Sequence, residues 1–184
     1  LADDFDDWEA MGNPGWGWED VLPYFKKSED NSLGADEYHG VGGPLHVADV
    51  SHSVHPLCDV YLDACQELGF PCCEDLNGAS AECVGLYQIT TRHAVRESTA
   101  TAYLRPARGR RNLRVETRAH VSRILFDGKR AIGVEYAHRG RRKAARAGCE
   151  VIVSAGSINS PQLLQLSGVG PVGVLQGYGI GVVH

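Results

Sequence analysis

The chain has 184 residues, of which 43% are hydrophobic and 22% charged, with 22 glycines and 8 prolines. This composition is typical of a folded globular protein and excludes collagen-like, coiled-coil and wholly disordered chains. The formal net charge of −5 conceals an asymmetry, because residues 1–104 carry −15 and residues 105–184 carry +10, which favours two regions that have different partners or that attract each other.

The first part of the chain predicts short elements joined by irregular segments. Residues 1–17 are rich in Asp and Gly and predict irregular structure with a solvated acidic tail. A helix over residues 18–28 is favoured by acidic side chains in its first turn and two lysines in its last. The predicted elements of this part are helices over residues 18–28, 56–68 and 97–104 and strands over residues 44–50 and 84–92.

The second part of the chain is predicted to be rich in strands. Asp127-Gly128 joins two apolar segments and strongly indicates a β-hairpin. Residues 139–146 carry five basic side chains without interleaved aromatic residues, which favours an exposed hairpin loop and no nucleic-acid partner. The predicted elements are strands over residues 112–117, 120–127, 131–136 and 150–154 and a helix over residues 160–166.

The most informative segment starts at residues 150–154, which are almost wholly apolar and β-branched. This pattern is typical of a strand that is buried on both faces of a parallel sheet. Ala155, Gly156 and Ser157 follow at once. A strand, a small-residue turn and a helix allow a backbone to approach a cofactor and direct a helix N-terminus toward it. The same residues also occur where a turn simply packs tightly, so the pattern alone leaves both interpretations open.

The six cysteines predict reduced thiols rather than a disulfide framework, because they form no CxxC pair in a chain long enough to have a core. Reduced thiols agree with a cytoplasmic location, and the acidic N-terminal region lacks the features of a signal peptide. No apolar run approaches the roughly 18 residues of a membrane-spanning helix, so no membrane span is expected. No metal site is predicted, since His52 and His55 have no further ligand at a suitable spacing.

The segment Gly156–Pro171, GSINSPQLLQLSGVGP, resembles the second signature of the glucose–methanol–choline (GMC) flavoprotein oxidoreductases. Other segments resemble the same family in the same order along the chain. They are residues 18–28, His39–Leu45, Arg96–Leu104, 112–121 and 131–135. The resemblance covers essentially the whole chain and is strongest to the choline dehydrogenase and alcohol dehydrogenase-like branch, bacterial members included.

The resemblance implies that the chain corresponds to an internal fragment of such an enzyme. Family members have an N-terminal Gly-x-Gly-x-x-Gly turn for the FAD pyrophosphate and a first signature next to the flavin, and neither occurs here. Family catalysis uses a His, paired with a second His or an Asn, beyond the point at which this sequence stops. We therefore predict no catalytic residue in the chain, and His184 is not expected to be the base.

The fold implied by the resemblance is α+β. Residues 1–104 would be part of an antiparallel-sheet substrate domain, and residues 105–184 the returning β-rich part of a Rossmann-like FAD-binding domain. The FAD-binding residues implied are Val121, Ser154, Ala155, Gly156 and Ser157. Val121 matches the valine whose backbone meets the adenine in this family, and the other four match the turn that lies beside the cofactor.

The function implied is oxidation of a small alcohol, choline-like or another primary alcohol, to an aldehyde with hydride transfer to the flavin of FAD. The 184 residues alone are expected to be inactive. The alternative is a non-catalytic truncated domain, a folded module that associates with itself through faces left uncovered by missing segments.

Overall fold

The computed structural model describes all 184 residues, which divide into two compact units, Leu1–Leu113 and Arg114–His184. The first unit combines helices with two small two-stranded sheets, and the second combines a three-stranded sheet with two helices. The content is α+β, as the sequence predicts. None of the helices is both long and apolar enough to cross a bilayer.

The first unit pairs its strands in two separate places. Strands β1 and β2 are parallel, whereas β3 and β4 form an antiparallel hairpin with His93-Ala94 at its turn. The helices are α1 (Ala2–Ala10), α2 (Trp18–Ser28), α3 (Leu57–Glu67) and α4 (Arg105–Ala107), with a 3₁₀ turn at Ser51–Ser53 and a π-helical turn at Ala100–Leu104. The strands are β1 (Glu29–Asn31), β2 (Leu45–Val47), β3 (Thr91–Arg92) and β4 (Val95–Arg96).

Helix α1 occupies the segment that was predicted to be an irregular acidic tail, so that prediction is wrong. Asp3 and Asp4 lie in its first turn, where negative charge is favourable at the positive end of the helix dipole. The ring of Phe5 packs against α2, with centroids 5.8 Å from Trp18 and 5.6 Å from Phe25. This aromatic packing supplies the burial that an acidic segment lacks by itself.

The predicted helices at 18–28 and 56–68 are confirmed as α2 and α3. The third predicted helix is replaced by the π-helical turn and the single turn α4. Pro106 has no N–H to donate to the carbonyl four residues earlier, so a regular helix cannot continue unchanged through this position.

The two strands predicted in the first unit are shorter than their sequence pattern suggests. Ala48 and Ile89 exchange two backbone hydrogen bonds of 2.8 and 3.1 Å, so the predicted strands meet at a single residue pair. Within residues 84–92 only Thr91–Arg92 is regular strand. Alternation marks a segment that could pair, but a ladder also needs a partner of matching length, and β2 ends at Val47.

Cys73 and Cys83 form a disulfide, which corrects the prediction that all six cysteines are reduced. Cys72 pairs with Val84 in an isolated parallel bridge. This pairing brings the residue after Cys72 and the residue before Val84 together, at a Cα–Cα distance of 5.8 Å. Sequence spacing does not reveal this bond, because it depends on how the segment folds back. The free cysteines are Cys58, Cys65, Cys72 and Cys149.

The second unit is built on an antiparallel sheet in the order β5-β6-β7. Its elements are β5 (Ala119–Asp127), β6 (Arg130–His138), β7 (Arg141–Arg146), α5 (Gly156–Leu166) and α6 (Val172–Gly177). The predicted hairpin is confirmed, with Gly128 at a φ of +57° in its turn. The basic segment is exposed, as predicted, but it forms the edge strand β7 rather than a loop.

Residues 112–117 and 150–154 were predicted to be strands and pair with no strand of this chain. Extended backbone forms a strand only when another segment accepts and donates its hydrogen bonds, so an apolar pattern is not sufficient. Ile152 is 78% exposed, whereas Ile124 and Leu175 are buried and form the centre of the second unit.

Candidate functional site

The turn at the start of α5 exposes backbone rather than reactive side chains. Ala155, Gly156 and Ser157 are exposed, and the Ala155 N–H donates to Ser160 Oγ at 2.9 Å, which fixes the turn. Gly156 has a φ of +92°, a conformation that favours glycine. Apart from the adjoining backbone, no atom lies within 4 Å of the position that a Cβ would take there. The main chain is therefore open to close approach by a bound group.

The start of α5 is also electrostatically suited to a cofactor phosphate. The first turn contains no acidic residue, and no side chain caps it. The first N–H groups of a helix have no partner inside the helix and carry a partial positive charge. The residues present therefore fit contact with an anionic or electron-rich part of a cofactor such as FAD.

Val121 lies in β5 opposite Tyr136 and is half-buried. A register shift between Val121 and Arg123 makes Ser122 the bulged residue of the strand. A bulge of this kind bends a strand and redirects its side chains. The resemblance implies that Val121 contacts the cofactor through its main chain. The size of its side chain would therefore affect how closely the cofactor can approach, and the side chain would take no part in the reaction.

Strand β5 and helix α5 are joined by a buried serine. Ser167 directly follows α5; its Oγ accepts the Ile124 N–H at 2.8 Å and donates to the Leu163 carbonyl at 2.6 Å. Helix α5 has 11 residues and is therefore about 16 Å long. Ser154 and Ala155 directly precede α5, and Gly156 and Ser157 are its first two residues, whereas β5 is attached at the other end of the helix. No hydrogen bond joins Val121 to Ser154, Ala155, Gly156 or Ser157, although all five lie in one unit.

The first unit contains a buried polar cluster that the sequence did not predict. His39 is 7% exposed and lies between two carboxylates. Its Nδ1 is 3.0 Å from both carboxylate oxygens of Glu29, and its Nε2 is 2.8 Å from Asp75 Oδ2. Burial alone would lower the pKa of His39, but the hydrogen bonds and charges of Asp75 and Glu29 outweigh burial and raise that pKa.

The carboxylate of Glu29 is bonded on several sides. It accepts the Gly40 N–H at 2.9 Å and the side-chain amide of Asn31 at 3.2 Å. Asn31 is 4% exposed and also donates to Gln88 Oε1 at 2.9 Å. This network connects β1, the glycine-rich segment after it and the segment before β3.

A second network is centred on Asp30, which directly follows Glu29 in β1. Successive side chains of a strand point to opposite faces, so the two acids reach different neighbours. Asp30 Oδ2 lies 3.0 Å from His46 Nδ1 and 3.4 Å from Arg92, and Arg92 Nε donates to Glu97 at 2.8 Å. The Gly42 N–H and the His46 ring hold the pKa of Asp30 below its usual range. The adjacent acids of β1 thus tie different segments to the same strand.

A cavity of about 410 Å³ lies beside the His39 cluster, within the first unit. Its apolar wall is formed mainly by Phe5, Trp18 and Phe25 from α1 and α2, and Glu29 and His39 lie at its polar end. The segment Leu76–Ala79 also borders it. The only local sequence sign of this arrangement is His39 next to a glycine-rich segment, and that sign does not specify the distant partner Asp75.

The family is decided by comparison with known proteins. The family model described as GMC oxidoreductase matches residues 1–175. The chain belongs to the GMC oxidoreductase family. The predicted resemblance is therefore confirmed, and GMC oxidoreductases are FAD-dependent enzymes.

Two curated GMC relatives illustrate the similarity. The mitochondrial choline dehydrogenase of Homo sapiens is 46% identical over 182 residues, which cover 99% of this chain and 30% of that protein. The oxygen-dependent choline dehydrogenase of Pseudomonas putida is 46% identical over 187 residues, which cover 100% of this chain and 33% of that protein. These relatives are oxidoreductases that act on CH–OH groups. The chain spans about a third of their length.

Solved GMC structures have the same fold over this region. Pyridoxine 4-oxidase from Mesorbium loti has a TM-score of 0.85 and 35% identity, covering 99% of this chain and 36% of that one. An FAD-dependent oxidoreductase from Chaetomium thermophilum has a TM-score of 0.85 and 31% identity, covering 98% of this chain and 34% of that one.

Proposed function

We propose that this chain is part of an FAD-dependent oxidoreductase that oxidises a choline-like or other primary alcohol to an aldehyde, and that the 184 residues alone are inactive. The observation that carries the proposal is the open turn at Gly156, where main chain and helix dipole fit an anionic cofactor group. The two choline dehydrogenases at 46% identity support the choice of substrate class.

We assign residues 1–104 to a substrate-binding domain and residues 105–184 to an FAD-binding domain. The division of the chain into compact units after Leu113 supports a boundary in this region, nine residues beyond the proposed one. The acidic first part and the basic second part also support two regions with different surroundings.

In this proposal the chain holds the cofactor by main-chain contacts. The backbones of Val121 and Ser154 and the turn Ala155–Ser157 bind it, and the first N–H groups of α5 stabilise negative charge. Bound FAD supplies the hydride acceptor for the alcohol carbon. Residues 1–104 help to exclude water from the alcohol, and we assign proton transfer to no residue of this chain.

The proposed partner is a small-molecule alcohol, with no nucleic acid. We keep a cytoplasmic location as part of the proposal, since the Pseudomonas putida relative is bacterial, although the human relative is mitochondrial.

The proposal is tested by titrating the ¹⁵N-labelled chain with FAD and following backbone amide signals. We expect shifts at Val121 and at Ser154–Ser157, abolished by Gly156→Val, because its Cβ would force a strained conformation into the open turn. Gly148→Val is the matched control, since Gly148 has open space and no left-handed φ. Shifts confined to other regions, or equal shifts in both variants, would contradict the site.

The claim that the chain is only part of the enzyme has its own readout, the visible absorption spectrum after incubation with FAD and desalting. We expect no retained flavin, because the chain lacks a Gly-x-Gly-x-x-Gly turn. A retained, perturbed flavin spectrum would contradict this part of the proposal.

The exposed face of α3 favours a second candidate, a self-associating module without catalysis. Leu57, Val60, Tyr61 and nearby Leu68 are 61 to 78% exposed and lie at helical spacing, as in a face that is normally covered. Sedimentation velocity over a range of concentrations tests this candidate. Association that is lost in Val60→Lys and kept in Asp63→Lys would support it, and a monomer at every concentration would exclude it.

A further inference from the structure

The segment Glu74–Glu82 forms a loop without helix or strand that is closed at its base by the Cys73–Cys83 disulfide. The base has backbone hydrogen bonds as well, from Cys73 N–H to the Val84 carbonyl at 3.0 Å and from Val84 N–H to the Pro71 carbonyl at 2.8 Å. These hydrogen bonds hold the base in place, and the disulfide adds a covalent link that restricts the conformations open to the loop above it.

The polar contact that joins this loop to the rest of its unit is Asp75 on His39. Asp75 Oδ2 lies 2.8 Å from His39 Nε2, while the remaining hydrogen bonds of the loop are local, such as Asn77 N–H to Asp75 Oδ1 at 2.9 Å. The Leu76–Ala79 part of the loop borders the same cavity as Phe5 and Trp18. The loop thus covers one side of the cavity and is attached there through one imidazole.

Simultaneous donation to Asp75 and Glu29 requires a protonated His39, because only an imidazolium donates from both ring nitrogens. Glu29 holds Nδ1, and Asp36 Oδ1 accepts the His39 backbone N–H at 2.7 Å. Lys26 is the cation on α2 that reaches the same turn, through the carbonyls of Asp36 and Glu37. If Asp75 moves away, His39 loses a carboxylate partner and its proton is held less tightly.

We propose that Cys73 and Cys83 are a redox-active pair, and that their reduction by a dithiol releases the loop from His39 and opens the cavity. A thiolate of the reductant attacks one sulfur, the S–S bond breaks, and a mixed disulfide forms. The second thiol of the reductant then displaces the protein sulfur. Two electrons pass to the cysteine pair, which becomes two thiols, while the dithiol becomes a disulfide. The redox role rests on the cytoplasmic location proposed above, because a disulfide in a reducing compartment is usually of this reversible kind.

The test follows His39 by histidine-labelled NMR during a pH titration of the 184-residue chain, before and after reduction with dithiothreitol. We expect the pKa of His39 to fall on reduction, and cleavage by a glutamate-specific protease at the exposed Glu74 and Glu82 to become roughly tenfold faster. The hairpin signals of β5 and β6 should stay unchanged.

Three variants make the result specific. The double variant Cys73→Ser, Cys83→Ser should behave as the reduced chain and no longer respond to dithiothreitol. The matched control Cys58→Ser, Cys149→Ser removes two free thiols and should respond like the parent chain. Asp75→Asn in the oxidised chain should lower the His39 pKa while the disulfide stays intact.

Each other outcome overturns the proposal. Identical His39 titration and cleavage before and after reduction would make the disulfide purely structural. Loss of all folded-state signals on reduction would show that the disulfide is needed for the fold as a whole and does not act on the loop alone. Six reactive thiols in the air-oxidised chain, instead of four, would mean that the pair does not form.

Discussion

Residues 1–113 and residues 114–184 are stabilised in different ways. In the first unit, short strands of two or three residues are joined by side chains, and the buried Asn31 and His39 have hydrogen-bond partners. In the second unit, the long strands β5 and β6 form an extended backbone ladder with two register shifts, and Ser167 is the buried polar link to α5. The stability of the first unit should therefore depend on particular side chains and on close backbone approach. That of the second should be spread over many main-chain bonds.

The largest effect is expected for Gly40→Ala in the first unit. A Cβ at Gly40 would collide with the backbone carbonyl of Lys26, which no rotamer change relieves. We expect a loss of more than about 3 kcal/mol in the free energy of unfolding, measured by urea denaturation. Gly109→Ala is the control, because no atom lies within 4 Å of its Cβ position, and should change stability by less than about 0.5 kcal/mol. Equal losses of stability in the two variants would show that the close approach of Gly40 to the Lys26 backbone is not the cause.

Replacement of the buried imidazole, His39→Gln, should cost about 2 kcal/mol or more, because a bond between the imidazole and a half-buried carboxylate is lost. The pKa of His39 is raised in the folded state, so its contribution is complete below the unfolded value near pH 6.5 and is lost as pH rises through the folded value. The stability difference between parent and variant should therefore shrink from acidic toward alkaline pH. The exposed His120→Gln is the control for these denaturation curves, and a difference that grows with pH would contradict the assignment.

The buried link in the second unit is tested by Ser167→Ala. This change leaves the Ile124 N–H without its partner and should cost about 1–3 kcal/mol by thermal and urea unfolding. Ser157→Ala, at the exposed turn, should be close to neutral. A neutral Ser167→Ala would show that this hydrogen bond contributes little to the stability of the second unit.

The smallest effect is expected at the turn of the β3–β4 hairpin. His93 and Ala94 have φ values of +52° and +59°. Residues other than glycine adopt this left-handed conformation at a cost in free energy. Ala94→Gly should raise stability by about 0.5–1 kcal/mol, despite the greater freedom of glycine in the unfolded chain. Ala64→Gly, on the exposed side of α3, should lower stability by about 1 kcal/mol. A loss in both variants would contradict the strained turn.

The features predicted from sequence are those determined by neighbouring residues. The β5–β6 hairpin follows from Asp127-Gly128, and α2 and α3 follow from their terminal residues and apolar spacing. The features that were missed depend on residues far apart in sequence. Asp75 is 36 positions from His39, and the short pairing of Ala48 with Ile89 is decided by partner geometry rather than by alternation.

The candidate cofactor site is intermediate between these cases. Its residue types and order were recognised by resemblance to the family, and the small residues themselves indicated an open turn before a helix. The open space at Gly156, the bulge after Val121 and the attachment of β5 to the far end of α5 needed the structure. The disulfide was missed because adjacent Cys72 and Cys73 give no spacing rule, and the Cys72–Val84 pairing decides which of the two reaches Cys83.

The central claim, that this chain supplies flavin and substrate contacts of a GMC alcohol oxidoreductase, is tested most directly by a chimaera. These 184 residues would replace the matching third of the Pseudomonas putida choline dehydrogenase, to which they are 46% identical. The measurement is the visible spectrum of the purified chimaera under anaerobic conditions, before and after addition of choline. We predict a bound flavin whose absorbance is bleached by choline and no flavin binding in the Gly156→Val chimaera. A folded chimaera without flavin, or with a flavin that no primary alcohol bleaches, would contradict the account.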